Sequence, residues 1–220
     1  MPKILVVSAT AAEVAPFLNA YAVEAREAPG QFLASPASPD VFVLITGAGM
    51  VSTAFEMGKL IGSHFETVIN AGVAGSFNRF SIGEVVNVTQ DCFCELGAED
   101  DKKFLSIDEL GLGRQNVLPL HPFENGFTKT IPKTNGITVN TVHGNEKSIR
   151  SVVERYQPHV ETMEGAAFIY AANCFNWKCM QLRAISNLVE KRDRGSWNME
   201  LAIRNLNESL NGAVKSIINR

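Results

Sequence analysis

The sequence lacks any apolar run near the roughly 18 to 20 residues that a membrane span needs, so no transmembrane helix and no membrane partner are expected. It also lacks a basic surplus. Lys and Arg number 20 against 23 Asp and Glu, for a net charge of -3, and no block of Lys or Arg stands out. A broad basic surface for nucleic acid is therefore not expected. Cysteine is sparse. Cys92, Cys94, Cys174 and Cys179 form C-x-C and C-x4-C spacings, with no paired C-x2-C. These read as reduced and mostly buried thiols. The four histidines are scattered and make no H-E-x-x-H pattern, so no metal site is expected. After Met1-Pro2-Lys3 the apolar run is only Ile4 to Val7, shorter than a secretory signal requires. The expected compartment is the cytoplasm.

What is present is enough apolar content for one sizeable core. Hydrophobic residues make up 45% of 220, and a single domain over 1–220 is expected. Apolar strands alternate with amphipathic helices. Ile4–Val7 and Val41–Ile45 are continuous apolar runs, as in strands covered on both faces. Further strands are expected at Thr67–Asn70, Val85–Val88, Ile137–Val142 and Gln181–Ser186.

Helices are expected over Ala11–Tyr21 behind Thr10, over Glu146–Tyr156, and over Met163–Cys174 behind Thr162. A helix over Met50–Ile61 repeats Val51, Ala54, Phe55, Gly58 and Ile61 at helical spacing. A final helix capped by Ser196 aligns Met199, Ile203, Leu206, Leu210, Ala213 and Ile217. The stretch at about 95–133 is polar and aperiodic, and reads as a long excursion forming a lid or contact surface. The alternation predicts an α/β three-layer sandwich, with a mixed, largely parallel central sheet flanked by helices. Ligands then bind where strands end.

Five strand-following loops are candidates for chemistry. Ser8–Glu13 holds one carboxylate, Glu13, which alone reads simply as a first-turn residue favoured by the helix dipole. Thr46-Gly47-Ala48-Gly49-Met50 has a G-x-G without the third glycine of a dinucleotide fingerprint, and a tight turn explains it equally well. Asn70-Ala71-Gly72-Val73-Ala74-Gly75-Ser76 offers a backbone that a flat ligand can approach, or a packed turn. Glu161-Thr162-Met163-Glu164 brackets a methionine with two carboxylates. They suit a helix N-terminus, or Glu164 accepts from sugar hydroxyls with Met163 on the sugar face. Asn187 lies just past a strand and either bonds its own backbone or presents a donor and an acceptor to a heterocycle edge.

Together, Asn70–Gly75, Glu161–Ala167 and Arg183–Asn187 resemble the purine nucleoside phosphorylase and uridine phosphorylase family, in particular its nucleosidase branch. The order is right and nearly the whole chain is covered. The resemblance implies hydrolysis of an N-glycosidic bond in a small-molecule nucleoside, with no metal or organic cofactor. It implies a homodimer or larger homo-oligomer. Glu13 falls on the water-activating carboxylate, and Met163 with Glu164 on the ribose-binding pair. Gly47, Val73, Ala74 and Gly75 fall on the loops lining the water and base regions.

Asn187 falls where adenine-specific members carry an aspartate. An amide can donate to the O6 of a 6-oxopurine while accepting from N7–H. The resemblance is therefore to members acting on 6-oxopurine nucleosides, and Val189–Arg194 with Trp197 points the same way. For a substrate whose 5′ arm ends in a carboxylate, Arg192, Arg194 and the 95–133 stretch are the candidate holders. A phosphorylase is disfavoured because Ser8–Ala12 supplies no arginine and Glu13 would repel phosphate. Two more readings stay open on the sequence: an adenine-releasing nucleosidase and a non-catalytic nucleoside-binding module.

Overall fold

The computed structural model describes residues 2–219. Its main sheet begins with β1 (Ile4–Ser8), β2 (Gln31–Ala34), β3 (Val41–Ile45), β4 (Thr67–Ser76) and β5 (Val85–Cys92). A separate hairpin follows, β6 (Gly97–Asp100) with β7 (Lys103–Ser106), and then β8 (Asn116–Val117). The remaining strands are β9 (Lys133–Thr138), β10 (Val160–Thr162) and β11 (Lys178–Leu188). The helices are α1 (Ala15–Ala20), α2 (Met50–Gly58), α3 (Glu146–Tyr156), α4 (Gly165–Cys174) and α5 (Met199–Ile218).

The sheet runs β10-β9-β5-β11-β4-β1-β3-β2, with β8 paired to β5. β1 is parallel to β3 and β4, β4 to β11, and β9 to β5 and β10. The β2–β3, β5–β11 and β4–β10 pairings are antiparallel. The fold is thus mixed α/β, with helices on both faces of the sheet. Side-chain alternation accounts for it. Ile4 and Val6 pack with α1 and α5, while Leu5 and Val7 pack with α2 and α4. Burial on both sides is why the run carries no polar residue.

Three expectations are corrected, and the apolar stripe of α2 is exposed. The segment 70–76, expected as a loop, continues β4 and stays paired with β11 to its end. It can do so because its residues are small: a Cβ at Gly72 would collide with the Arg183 guanidinium. The apolar stripe of α2 does not face the core. Val51 and Phe55 are 80% and 65% exposed, and Ile61 beyond the helix is 79% exposed. Thr53 and Met57 fill the buried side instead. Periodicity identifies an apolar face without saying what covers it.

Ser196 lies in a 3-10 turn, and Asn198 caps α5 by accepting from Leu201 N at 3.0 Å. The strand expected at 137–142 lies at 133–138, because pairing with β10 stops at Thr138. Within 95–133, hairpin β6–β7 stands apart from the main sheet, while Phe123 and Ile131 are buried in the α5 cluster.

Candidate active site

A cavity of about 390 Å³ opens at the carboxyl ends of β1, β4 and β11. Glu13, Val73, Ala74, Gly75, Met163, Glu164 and Asn187 all border it. Gly47 does not. It forms a turn at φ +86°, where a Cβ would sit 2.9 Å from Pro29 Cβ, and it leaves Ala48 to border the cavity. Its part is to shape the loop, which corrects its expected place on the lining.

Glu13 is held from both sides. Oε2 accepts from Thr10 N at 3.1 Å and from the Thr10 hydroxyl at 3.0 Å. Oε1 accepts from Val73 N at 3.0 Å, which ties the carboxylate to β4. The turn itself is anchored by α5: Asn207 Nδ2 donates to the Glu13 carbonyl at 2.8 Å, and Phe17 N donates to Asn207 Oδ1 at 3.0 Å.

Glu164 is 6% exposed and immediately precedes α4. Its Oε1 accepts from Gly49 N at 3.0 Å. Gly49 sits at φ +97°, a conformation that glycine adopts without strain. The second oxygen is 3.9 Å from Nη2 of Arg183. Burial pushes the Glu164 carboxyl above the usual range; Arg183 and the Gly49 N–H oppose this, and nearby Glu13 adds to it.

Arg183 was not singled out from the sequence. It is 1% exposed, donates to Asn70 Oδ1 and leaves its Nε without a partner. Asn70 in turn donates to the Val7 carbonyl at 3.0 Å. A lone cation inside the strand expected at 181–186 was the available signal, because a charge buried there needs a partner.

Asn187 follows a register shift between β4 and β11. Its Oδ1 accepts from the Ser186 hydroxyl at 2.8 Å and its Nδ2 donates to the Leu188 carbonyl at 2.9 Å. One amide hydrogen and one carbonyl lone pair remain. A Cβ at Gly75 would lie 3.3 Å from Asn187 Nδ2 and 2.8 Å from Val189 Cγ2, so glycine makes room for both. Arg192 borders the cavity and lies 5.2 Å from the ring centroid of Trp197, a cation–π contact. Arg194 and the 95–133 segment do not border it.

No family model matches the chain. By sequence it is similar to the futalosine hydrolase of Streptomyces coelicolor, 30% identical over 155 residues that cover 69% of this chain and 66% of that one. Across the curated futalosine hydrolases it matches, the chain spans 62% to 75% of their own length. In fold it is similar to two Helicobacter pylori structures, each 18% identical and covering 98% of both chains. One is a 5′-methylthioadenosine/S-adenosylhomocysteine nucleosidase complexed with a substituted pyrrolidinol (TM-score 0.82), the other a native futalosine hydrolase (TM-score 0.81). By sequence, then, the chain is similar to futalosine hydrolases, and it shares the fold of these two nucleosidase structures.

Proposed function

We propose that the protein hydrolyses the N-glycosidic bond of futalosine, releasing hypoxanthine and dehypoxanthine futalosine, as a step of menaquinone biosynthesis. The observation that carries this reading is Asn187 on the same cavity as Glu13 and Glu164. The curated relatives support it independently.

Glu13 takes a proton from the attacking water. Its oxygens are already fixed by Thr10 and Val73, so its orientation is set before substrate arrives. Glu164 accepts from the sugar hydroxyls, and its charge favours the cationic ribosyl centre that forms as the base departs. Arg183 opposes the upward push that burial gives that carboxyl. Met163 packs on the sugar. Asn187 donates to O6, and its carbonyl accepts from N7–H once N7 has taken a proton from solvent water as the base leaves. Val73, Ala74 and Gly75 form the wall against which the base lies, and Arg192 receives the carboxylate of the 5′ arm.

We read the chain as one nucleoside phosphorylase-like domain, a three-layer sandwich with 95–133 as its excursion, working in the cytoplasm. The four free cysteines suit a reducing compartment. A homodimer is the assembly we favour. Exposed Val51 and Phe55 of α2, Tyr170 of α4, and Leu118 with Leu120 supply apolar surface for a second copy. α2 packs on α4, and Asn173 of α4 bonds both Leu118 and Leu120.

Purified protein would be mixed with futalosine, inosine and methylthioadenosine, with and without phosphate, and free base measured by chromatography. Hypoxanthine from futalosine without phosphate supports the reading. Release only with phosphate, or preferred release of adenine, rejects it.

A further inference from the structure

His143 is a titratable side chain beside the cavity that the proposed reaction leaves unused. Its backbone N donates to Glu161 Oε1 at 2.9 Å, and its Nδ1 meets Glu161 Oε2. Glu161 is 4% exposed and borders the main cavity. His143 borders an adjoining pocket of about 60 Å³ together with Gly75, Asn187 and Leu188. His143 and Asn187 thus line one small pocket. With Nδ1 turned to Glu161, Nε2 is the open ring nitrogen. Among the described residues it has no hydrogen-bond partner, and it is not one of the buried unpartnered atoms, so it is free to meet a ligand.

We propose that His143, positioned by Glu161, is a specificity-determining residue whose Nε2–H donates to the 6-oxo oxygen of the base. This rests on the nucleosidase reading above. A carbonyl oxygen has two lone pairs. Asn187 takes one from the N7 side, and His143 takes the other from the N1 side. A 6-aminopurine places two N–H groups at the same position. The imidazole donor would then face another donor and stay unpaired, which is how a polar site rejects the wrong base.

Charge supports the donor form. The bond to Glu161 raises the His143 pKa and outweighs desolvation; Glu95 adds to the rise. Glu99 and Arg155 also face the imidazole from the side of the β6–β7 hairpin and α3. Glu190, Arg192 and Asp193 face it from the connection after β11. The donor is present below the raised pKa and is lost as pH rises through it.

The test uses wild type, His143→Leu and His143→Gln. It measures kcat/KM for a 6-oxopurine nucleoside and its 6-amino counterpart from acid to alkaline pH, with calorimetry of free hypoxanthine and adenine. Leu should cost about 10- to 100-fold toward the 6-oxo base, as for one charge-assisted hydrogen bond, and little toward the amino base. It should also remove the alkaline fall in activity. Gln, which keeps an N–H donor, should restore most of the discrimination. Equal losses for both bases with an unchanged pH profile would overturn the proposal and leave His143 as loop support. Wild type that binds hypoxanthine over adenine yet cuts no nucleoside would defeat the proposed reaction while sustaining the base reading. Wild type that prefers free adenine would overturn the base reading itself.

Discussion

Glu13 and Glu164 are fixed by backbone N–H groups, and a fully buried guanidinium stands beside Glu164. Asn187, Arg192 and Trp197 border the cavity from a strand end and the connection that follows it, where Arg192 is exposed and bonded to no carboxylate among the described residues. The first group is tied to β4 through Val73, to the turn before α2 through Gly49 and to β11 through Arg183. In the second, Asn187 is at the end of β11, while Arg192 and Trp197 sit on the connection beyond it, which can vary without disturbing the core. On the proposed reading this divides the labour: bond cleavage falls to the part fixed by backbone bonds, and choice of substrate to the end of β11 and the connection beyond it.

Substitutions can break that division. The largest effect should come from Glu13→Gln, which removes the base and should lower kcat about 100- to 10,000-fold with little change in KM. Steady-state kinetics decide it, and a tenfold loss or less would move the base elsewhere. Next, Gly72→Ala drives a methyl into the Arg183 guanidinium and, at 3.0 Å, against Glu13 Oε1. It should lower both thermal midpoint and kcat. Unchanged melting and turnover would mean that the guanidinium has room to move.

Asn187→Asp should leave melting unchanged and shift the ratio of hypoxanthine to adenine release about 10- to 100-fold toward adenine. A constant product ratio would take Asn187 out of base choice. Arg192→Met should raise KM about tenfold for a nucleoside with a carboxylated 5′ arm and leave inosine unaffected. Equal KM changes for both would assign the arm to another residue.

The smallest effect concerns pH. Burial raises the Glu164 carboxyl, so its protonated form persists to higher pH than in a free glutamate. Activity should therefore fall on acidification while ordinary carboxylates are still ionised. Arg183 lowers this pKa, so Arg183→Lys, which forfeits the planar guanidinium, should move the acid limb upward. A downward shift in the kcat/KM profile would contradict the assignment.

Much of this was legible in the sequence where local chemistry and tertiary demand agree. Ile4–Val7 and Val41–Ile45 carry only apolar side chains because both faces are covered, and α3 begins and ends where expected. Glu13, Glu164 and Asn187 could be found because the first two follow strands and the third lies at the end of one, where open α/β sheets bind ligands. Arg183 was harder to see, since its meaning depends on Asn70 and Glu164, which are distant in sequence. Gly47 and Gly49 look alike in the sequence. Only the packing of Pro29 on one and the bond from the other to Glu164 separate them. The His143–Glu161 couple likewise joins residues 18 apart that share no local pattern.

The bond from Asn207 to the Glu13 carbonyl spans 194 positions. During synthesis, β1 and the Glu13 turn leave the ribosome long before the middle of α5 exists. Until Asn207 emerges, the Phe17 N–H and the Glu13 carbonyl lack their native partner. A nascent polypeptide can therefore hold its whole sheet and still lack the anchor that ties the Glu13 turn to α5.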